Sequence, residues 1–86
     1  MEFKTTRAFE REYRDLPEGI KERANKQFSF LLENPRHPSL RLKKLKSTEN
    51  IWEARVTRGY RFTFQVVGET YILRRIGKHE DVLRKP

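Results

Sequence analysis

Eighty-six residues without a cysteine make one domain with a modest core, and they exclude disulfide staples and thiolate metal ligands. No leader with an apolar centre opens the chain and no run approaches the ~18 apolar residues of a membrane span, so a soluble cytoplasmic protein is expected, with no membrane partner. The net charge of +8 is one-sided: residues 1–35 hold seven Lys/Arg and seven Asp/Glu, and residues 36–86 hold thirteen and five, which points to a polyanion or to an acidic partner protein.

Glu2–Thr5 reads as a first strand with Phe3 facing inward. Thr5 or Thr6 is placed to cap a helix, because its side-chain oxygen can accept an otherwise unpaired amide. Phe9, Tyr13 and Leu16 then recur at the helical period, and Leu16-Pro17 breaks it. Pro17 suits the first turn of a second helix, in which Ile20, Ala24, Gln27/Phe28, Leu31 and Leu32 continue the period to Asn34-Pro35. Residues 35–50 are irregular, with Leu40, Leu42 and Leu45 turned to the core and Arg36, Arg41, Lys43, Lys44 and Lys46 to water.

Three strands follow. Ile51–Val56 alternates Trp52, Ala54 and Val56 against Glu53 and Arg55. Tyr60–Val67 alternates Tyr60, Phe62, Phe64 and Val66 against Arg61, Thr63 and Gln65. Thr70–Ile76 is apolar until Arg74 and Arg75. Thr57-Arg58-Gly59 makes the first turn, and Gly68-Glu69 suits a two-residue type II′ hairpin. The expected fold is a two-layer α+β domain spanning 1–86: strand, helix, helix, a three-stranded antiparallel meander, and a short helical turn at His79–Arg84.

Chemistry concentrates on the meander. Arg55 and Arg61 lie opposite the apolar stripe of adjacent strands, Arg75 ends the last strand, and His79 follows Gly77-Lys78. Three guanidiniums and an imidazole on one face would suit RNA cleavage by the ribose 2′-hydroxyl. Arginine forks bind phosphate oxygens in pairs, and histidine is the side chain whose ordinary pKa lies near neutrality. Lys43, Lys44, Lys46, Arg58 and Lys78 would contact phosphates. Structural roles compete at each position: Arg55 paired with Glu53 or with an acidic partner, Arg61 as a structural arginine, and His79 as a helix cap. His37 reads as a loop residue, and Trp52 and Phe64 as core. No metal-ligand spacing, phosphate-binding loop or dinucleotide fingerprint is present, so no metal or cofactor is expected. Glu49, Glu80 and Asp81 are the nearby carboxylates for a general base.

Asn34-Pro35, His37-Pro38-Ser39-Leu40, Lys43-Lys44-Leu45, Ile51–Val56, Gly59-Tyr60-Arg61-Phe62 and Arg74–Asp81 together resemble the RelE/ParE toxin family, in order and spacing. The resemblance spans nearly the whole chain. It implies the toxin of a type II toxin–antitoxin system, with a cognate antitoxin bearing an acidic segment, and with the ribosome and mRNA as further partners. It implies a metal-free, ribosome-dependent mRNA endonuclease in which Arg55, Arg61, Arg75 and His79 occupy the family's catalytic positions. The chain departs from the pattern at Leu83, where many ribonuclease members carry an aromatic that stacks on a base. Two further functions fit the same fold: a gyrase-directed ParE-like toxin, which needs no acid–base residue, and a non-catalytic RNA- or protein-binding domain.

Overall fold

The computed structural model describes residues 1–46 and 49–86. Strand β1 (Glu2–Thr5) leads into helix α1 (Arg7–Arg14), which Thr6 caps. The Thr6 hydroxyl oxygen accepts from the Phe9 amide at 3.1 Å, and the hydroxyl donates to the Arg74 carbonyl at 2.7 Å. One side chain therefore starts the helix and ties it to the last strand. Pro17 stands at the N-cap of α2 (Glu18–Glu33), one position before the first turn expected for it. Its carbonyl accepts the amides of Ile20 and Lys21, both at 3.0 Å.

The segment 35–50, expected to be irregular, is partly regular. A 3-10 turn (Pro38–Leu40) ends at Arg41 in the left-handed region, φ 45°. Strand β2 (Lys43–Lys44) then pairs antiparallel with β3 (Ile51–Arg55). Residues 47 and 48, within that segment, lie outside the described residues.

Strands β3, β4 (Tyr60–Val67) and β5 (Thr70–Lys78) form the expected antiparallel meander. Gly68, at φ 59°, supplies the positive angle that the β4–β5 hairpin needs. The sheet is larger than a meander, with five strands in the order β1-β5-β4-β3-β2. β1 runs parallel to β5, with Phe3 opposite Tyr71, so the free edge of β5 and the backbone of β1 satisfy each other. Thr63 opposes Arg75 while Phe64 opposes Leu73, leaving Arg74 as the extra residue of a bulge. β5 also runs two residues beyond its expected end, to Lys78, and passes into α3 (His79–Arg84).

The core lies between the helices and the sheet. Phe62, Phe64, Ala54, Val56, Leu73 and Ile76 are buried from the sheet, and Phe9, Ala24 and Leu31 from the helices. Phe28 meets Phe62 edge-on at 5.1 Å between ring centres. Phe28 and Trp52 are only partly buried and pack at the margin of this cluster. The opposite sheet face is also covered, at the β5 end. Val82 of α3 is fully buried beside Gly77, and the buried Thr63 donates to the Pro86 carbonyl at 3.0 Å. Among the described residues no helix is long and apolar enough to cross a membrane.

Candidate active site

The register sets what meets what. Arg55 opposes Arg61, and Arg61 opposes Gly77. One row inward, Glu53, Thr63 and Arg75 stand side by side on the same face. The four residues assigned to catalysis do not converge on one point; they divide among three places.

Arg61 and His79 meet, and the group between them is Glu53. Arg61 Nε lies 3.5 Å from Glu53 Oε1, and His79 Nε2 lies 4.0 Å from the same oxygen. The Glu53 side chain is 9% exposed and that of His79 is 45%, so the carboxylate is a recessed anchor and the imidazole is open to a ligand. Arg61 Nη1 donates to the carbonyls of Thr57 at 2.6 Å, Tyr60 at 2.9 Å and Arg58 at 3.2 Å, which braces the β3–β4 turn. Its Nη2 has no hydrogen-bond partner among the described residues, leaving one edge of the fork for an incoming anion. The His79 amide donates to the Gly59 carbonyl at 2.9 Å, so the start of α3 is locked to the same turn. Arg58, Gly59, Tyr60, Lys78, His79 and Glu80 line an open cleft here of ≈ 370 Å³.

Arg55 leaves this centre. It lines a second cleft with Arg23, Pro38, Ser39, Arg41, Thr57 and Arg58. Desolvation, and then the charges of Arg41, Arg61, Arg23 and Arg58, hold its pKa below the ordinary arginine value. It does not pair with Glu53, which is turned to Arg61.

Arg75 is already engaged. Its guanidinium donates to both Glu12 carboxylate oxygens, at 2.7–3.0 Å, and to the Lys85 carbonyl at 2.8 Å. The Glu12 hydrogen bonds and charge, with Asp81 beyond them, raise its pKa against the opposing effect of burial. A phosphate reaching Arg75 must compete with that carboxylate.

The lysines divide by strand pleat. Lys43 opposes Glu53 and shares its face, whereas Lys44 opposes Trp52 and shares that one; both are exposed. Lys46, Arg58 and Lys78 are exposed as well. His37 stacks on Phe30 at 3.8 Å and accepts from the Ser39 amide at 3.2 Å, a loop-bracing role. Leu83 is 38% exposed. Tyr60, which the alternation placed in the core, is half-buried and lines the His79 cleft. Among the described residues no group of three or more His, Cys, Asp or Glu could hold a metal ion.

Glu53 is the residue that sequence reasoning passed over. The sequence offers Glu53 only as a partner for Arg55, and its candidates for a general base, Glu49, Glu80 and Asp81, all lie outside the strands. Its signal was its place: glutamate is depleted in strands, and one buried between apolar neighbours, here Trp52 and Ala54, needs a cation or a function to hold it there.

No family model and no curated protein matches the sequence. Solved structures do match. The isolated E. coli RelE toxin is 25% identical, with 95% of each chain covered and a TM-score of 0.72. The YoeB/ParE toxin from Agrobacterium tumefaciens is 19% identical, covering 92% of this chain and 99% of that one, at a TM-score of 0.78. The fold is that of the RelE-type toxins. A third match is the E. coli DinJ-YafQ toxin-antitoxin complex, 10% identical over 93% of both chains, at a TM-score of 0.78. The RelE-like fold thus extends over nearly the whole chain.

Proposed function

We propose that this protein is the toxin of a type II toxin–antitoxin pair, a cytoplasmic endoribonuclease that cuts ribosome-bound mRNA without a metal. The observation that carries the reading is the recessed Glu53 carboxylate holding Arg61 and His79 at the edge of an open basic cleft. In the cleavage step the ribose 2′-oxygen bonds to the adjacent phosphorus as the bond to the 5′-oxygen breaks. The 2′-oxygen loses a proton and the 5′-oxygen gains one. His79, whose imidazole is exposed at the cleft, exchanges a proton with the reacting oxygens. The free Nη2 edge of Arg61 faces the charge that grows on the phosphorane. Glu53 positions both side chains and keeps Arg61 from swinging into water. Tyr60 is the aromatic closest in place to a base platform, since it shares the cleft with His79 while Leu83 has no π-face.

The antitoxin supplies an acidic segment that covers the basic surface and blocks entry to the ribosome. The net +8 of residues 36–86 and the structural match to a toxin-antitoxin complex support this partner. The deciding experiment incubates purified protein with ribosomes programmed with a defined mRNA and maps the cut ends. Cleavage that persists in EDTA, once ribosome integrity is controlled, and that yields 2′,3′-cyclic phosphate ends is the expected result. A requirement for an added divalent ion would sink the metal-free scheme.

A second reading rests on two observations: Arg75 is occupied by Glu12, and a leucine stands at position 83. Under it the domain binds RNA or its antitoxin and cuts nothing. Induced cells separate the possibilities. Broken mRNA marks the nuclease, a DNA-damage response marks a gyrase-directed toxin, and neither marks a binding domain.

A further inference from the structure

Four arginines from four separate places in the chain surround one open cleft of ≈ 600 Å³: Arg23 on α2, Arg41 after the 3-10 turn, Arg55 at the end of β3 and Arg58 in the β3–β4 turn. Among the described residues none of the four has a carboxylate within 4.0 Å, although the chain holds twelve Asp and Glu. Surface arginines on a protein with that many acids ordinarily find partners or spread apart. These instead crowd together, and the repulsion is felt at Arg55, whose pKa is pushed down first by desolvation and then by the other guanidiniums.

The cleft is built, not incidental. Gln27, fully buried on α2, donates from its amide to the Arg55 carbonyl at 2.9 Å and to the Ser39 carbonyl at 3.2 Å. That side chain ties the helix, the 3-10 turn and the end of β3 into one frame, so the arginines spring from fixed backbone. Arg41 is held at φ 45°, a conformation that favours glycine, yet the position carries a long cation. A strained non-glycine residue whose side chain lines a cleft is a pointer to function.

We infer that this arginine cleft is a second phosphate site, separate from the Glu53–Arg61–His79 centre, that seats the backbone of the RNA strand beside the bond to be cut. The inference rests on the nuclease reading for its ligand. RNA is favoured over an acidic peptide by continuity: Arg58 lines both clefts, and Arg55 opposes Arg61 in the register. A strand lying over His79 therefore runs directly into four planar donors suited to phosphate oxygens. The site reads no base; it sets where the strand lies, which is the task of backbone contacts.

The test measures binding of a 2′-O-methyl RNA oligonucleotide, which cannot be cut, by fluorescence anisotropy across a salt series. The Arg23→Gln/Arg41→Gly double variant should lose on the order of tenfold in affinity, with the salt slope smaller by about 1.4, or ~0.7 for each phosphate contact. Arg41→Gly is chosen because glycine adopts the left-handed angle freely, so its loss of binding cannot be blamed on misfolding; thermal melts should show that variant at least as stable as the parent. Arg7→Gln/Arg11→Gln removes the same charge from exposed positions of α1 and should keep the parent slope. An unchanged slope in the cleft variant, or an equal fall in the α1 variant, overturns the site in favour of diffuse charge. Loss of polyglutamate binding with RNA binding intact also overturns it, in favour of an acidic protein ligand. Failure of the nuclease reading looks different: the parent then cuts no mRNA on ribosomes, while the slope change in the cleft variant persists.

Discussion

Glu53 has the Arg61 guanidinium and the His79 imidazole within 4.0 Å of one oxygen, and the consequences of that geometry can be measured residue by residue. His79→Ala should lower the cleavage rate by ~10²-fold or more and leave ribosome binding nearly unchanged, because the arginines and lysines carry most of the phosphate attraction. Glu53→Gln keeps shape and removes the charge. It should lower kcat with little change in KM, since the substrate still meets the same surface while Arg61 and His79 lose their anchor. Arg61→Ala should lose rate and destabilise the β3–β4 turn, whose three carbonyls it braces. If these groups serve one transition state, as proposed, the loss in Glu53→Gln/His79→Ala should fall well short of the product of the single losses. Purely multiplicative losses would show that the two act separately and would break the proposed unit.

At the scale of elements, helix α1 and the last strand are joined by Thr6, whose hydroxyl group serves both. Thr6→Ala should cost about 1–2 kcal/mol, read as a drop in Tm, and Thr6→Ser should recover most of it. The buried Val82 fixes α3 over Gly77, and the His79 amide is bonded to Gly59. Val82→Ala should therefore lower stability by about 1–2.5 kcal/mol through the cavity left behind. It should also reduce cleavage by more than the fraction unfolded explains, because His79 rides on the same short helix. Strand β2 makes a different prediction. Lys43 shares the Glu53 face and Lys44 the Trp52 face. Lys43→Ala should reduce the salt slope of RNA binding by about 0.7, whereas Lys44→Ala should scarcely move it. Equal effects would mean that RNA wraps the sheet edge and does not keep to one face.

For the molecule as a whole, charge and shape are separable. The helices α1 and α2, in a charge-balanced amino-terminal stretch, bury one sheet face, and the excess of +8 falls on the segment that carries β2 to β5. Such a distribution speeds encounter with a polyanion and makes binding steeply salt-dependent, without by itself selecting a cut site. Co-expression should select for an acidic partner chain that protects the protein thermally and abolishes toxicity. A basic tightest partner, or one that bound without relieving toxicity, would remove the antitoxin from the account. Protection by that partner should weaken as salt is raised if its contacts are chiefly ionic.

Periodicity and punctuation were enough to read the helix pair, the meander, the Gly68 hairpin and the terminal helix, because each is set by interactions close along the chain: caps, prolines, alternation and a glycine at positive φ. That Arg61 and His79 could come together beside a basic surface was legible for the same reason, since they stand at the start of a strand and of the terminal helix. What local pattern cannot carry is which edge a strand joins and what a side chain does once surrounded. β1 found β5 across the length of the chain, and β2 was too short to show a period. The bulge at Arg74 shifted the register, and the guanidiniums of Arg74 and Arg75 went to the tail carbonyls and to Glu12. Arg55 was drawn into a cleft with Arg23, a residue of another layer. Alternation assigned Glu53 a face, but the role proposed for it depends on Arg61 and His79 lying within 4.0 Å of one oxygen, and that is a distance between three elements. Hydrogen bonding and apolar burial along the chain determined the elements; charge pairing across it, which depends on through-space distance alone, was decided by the tertiary structure.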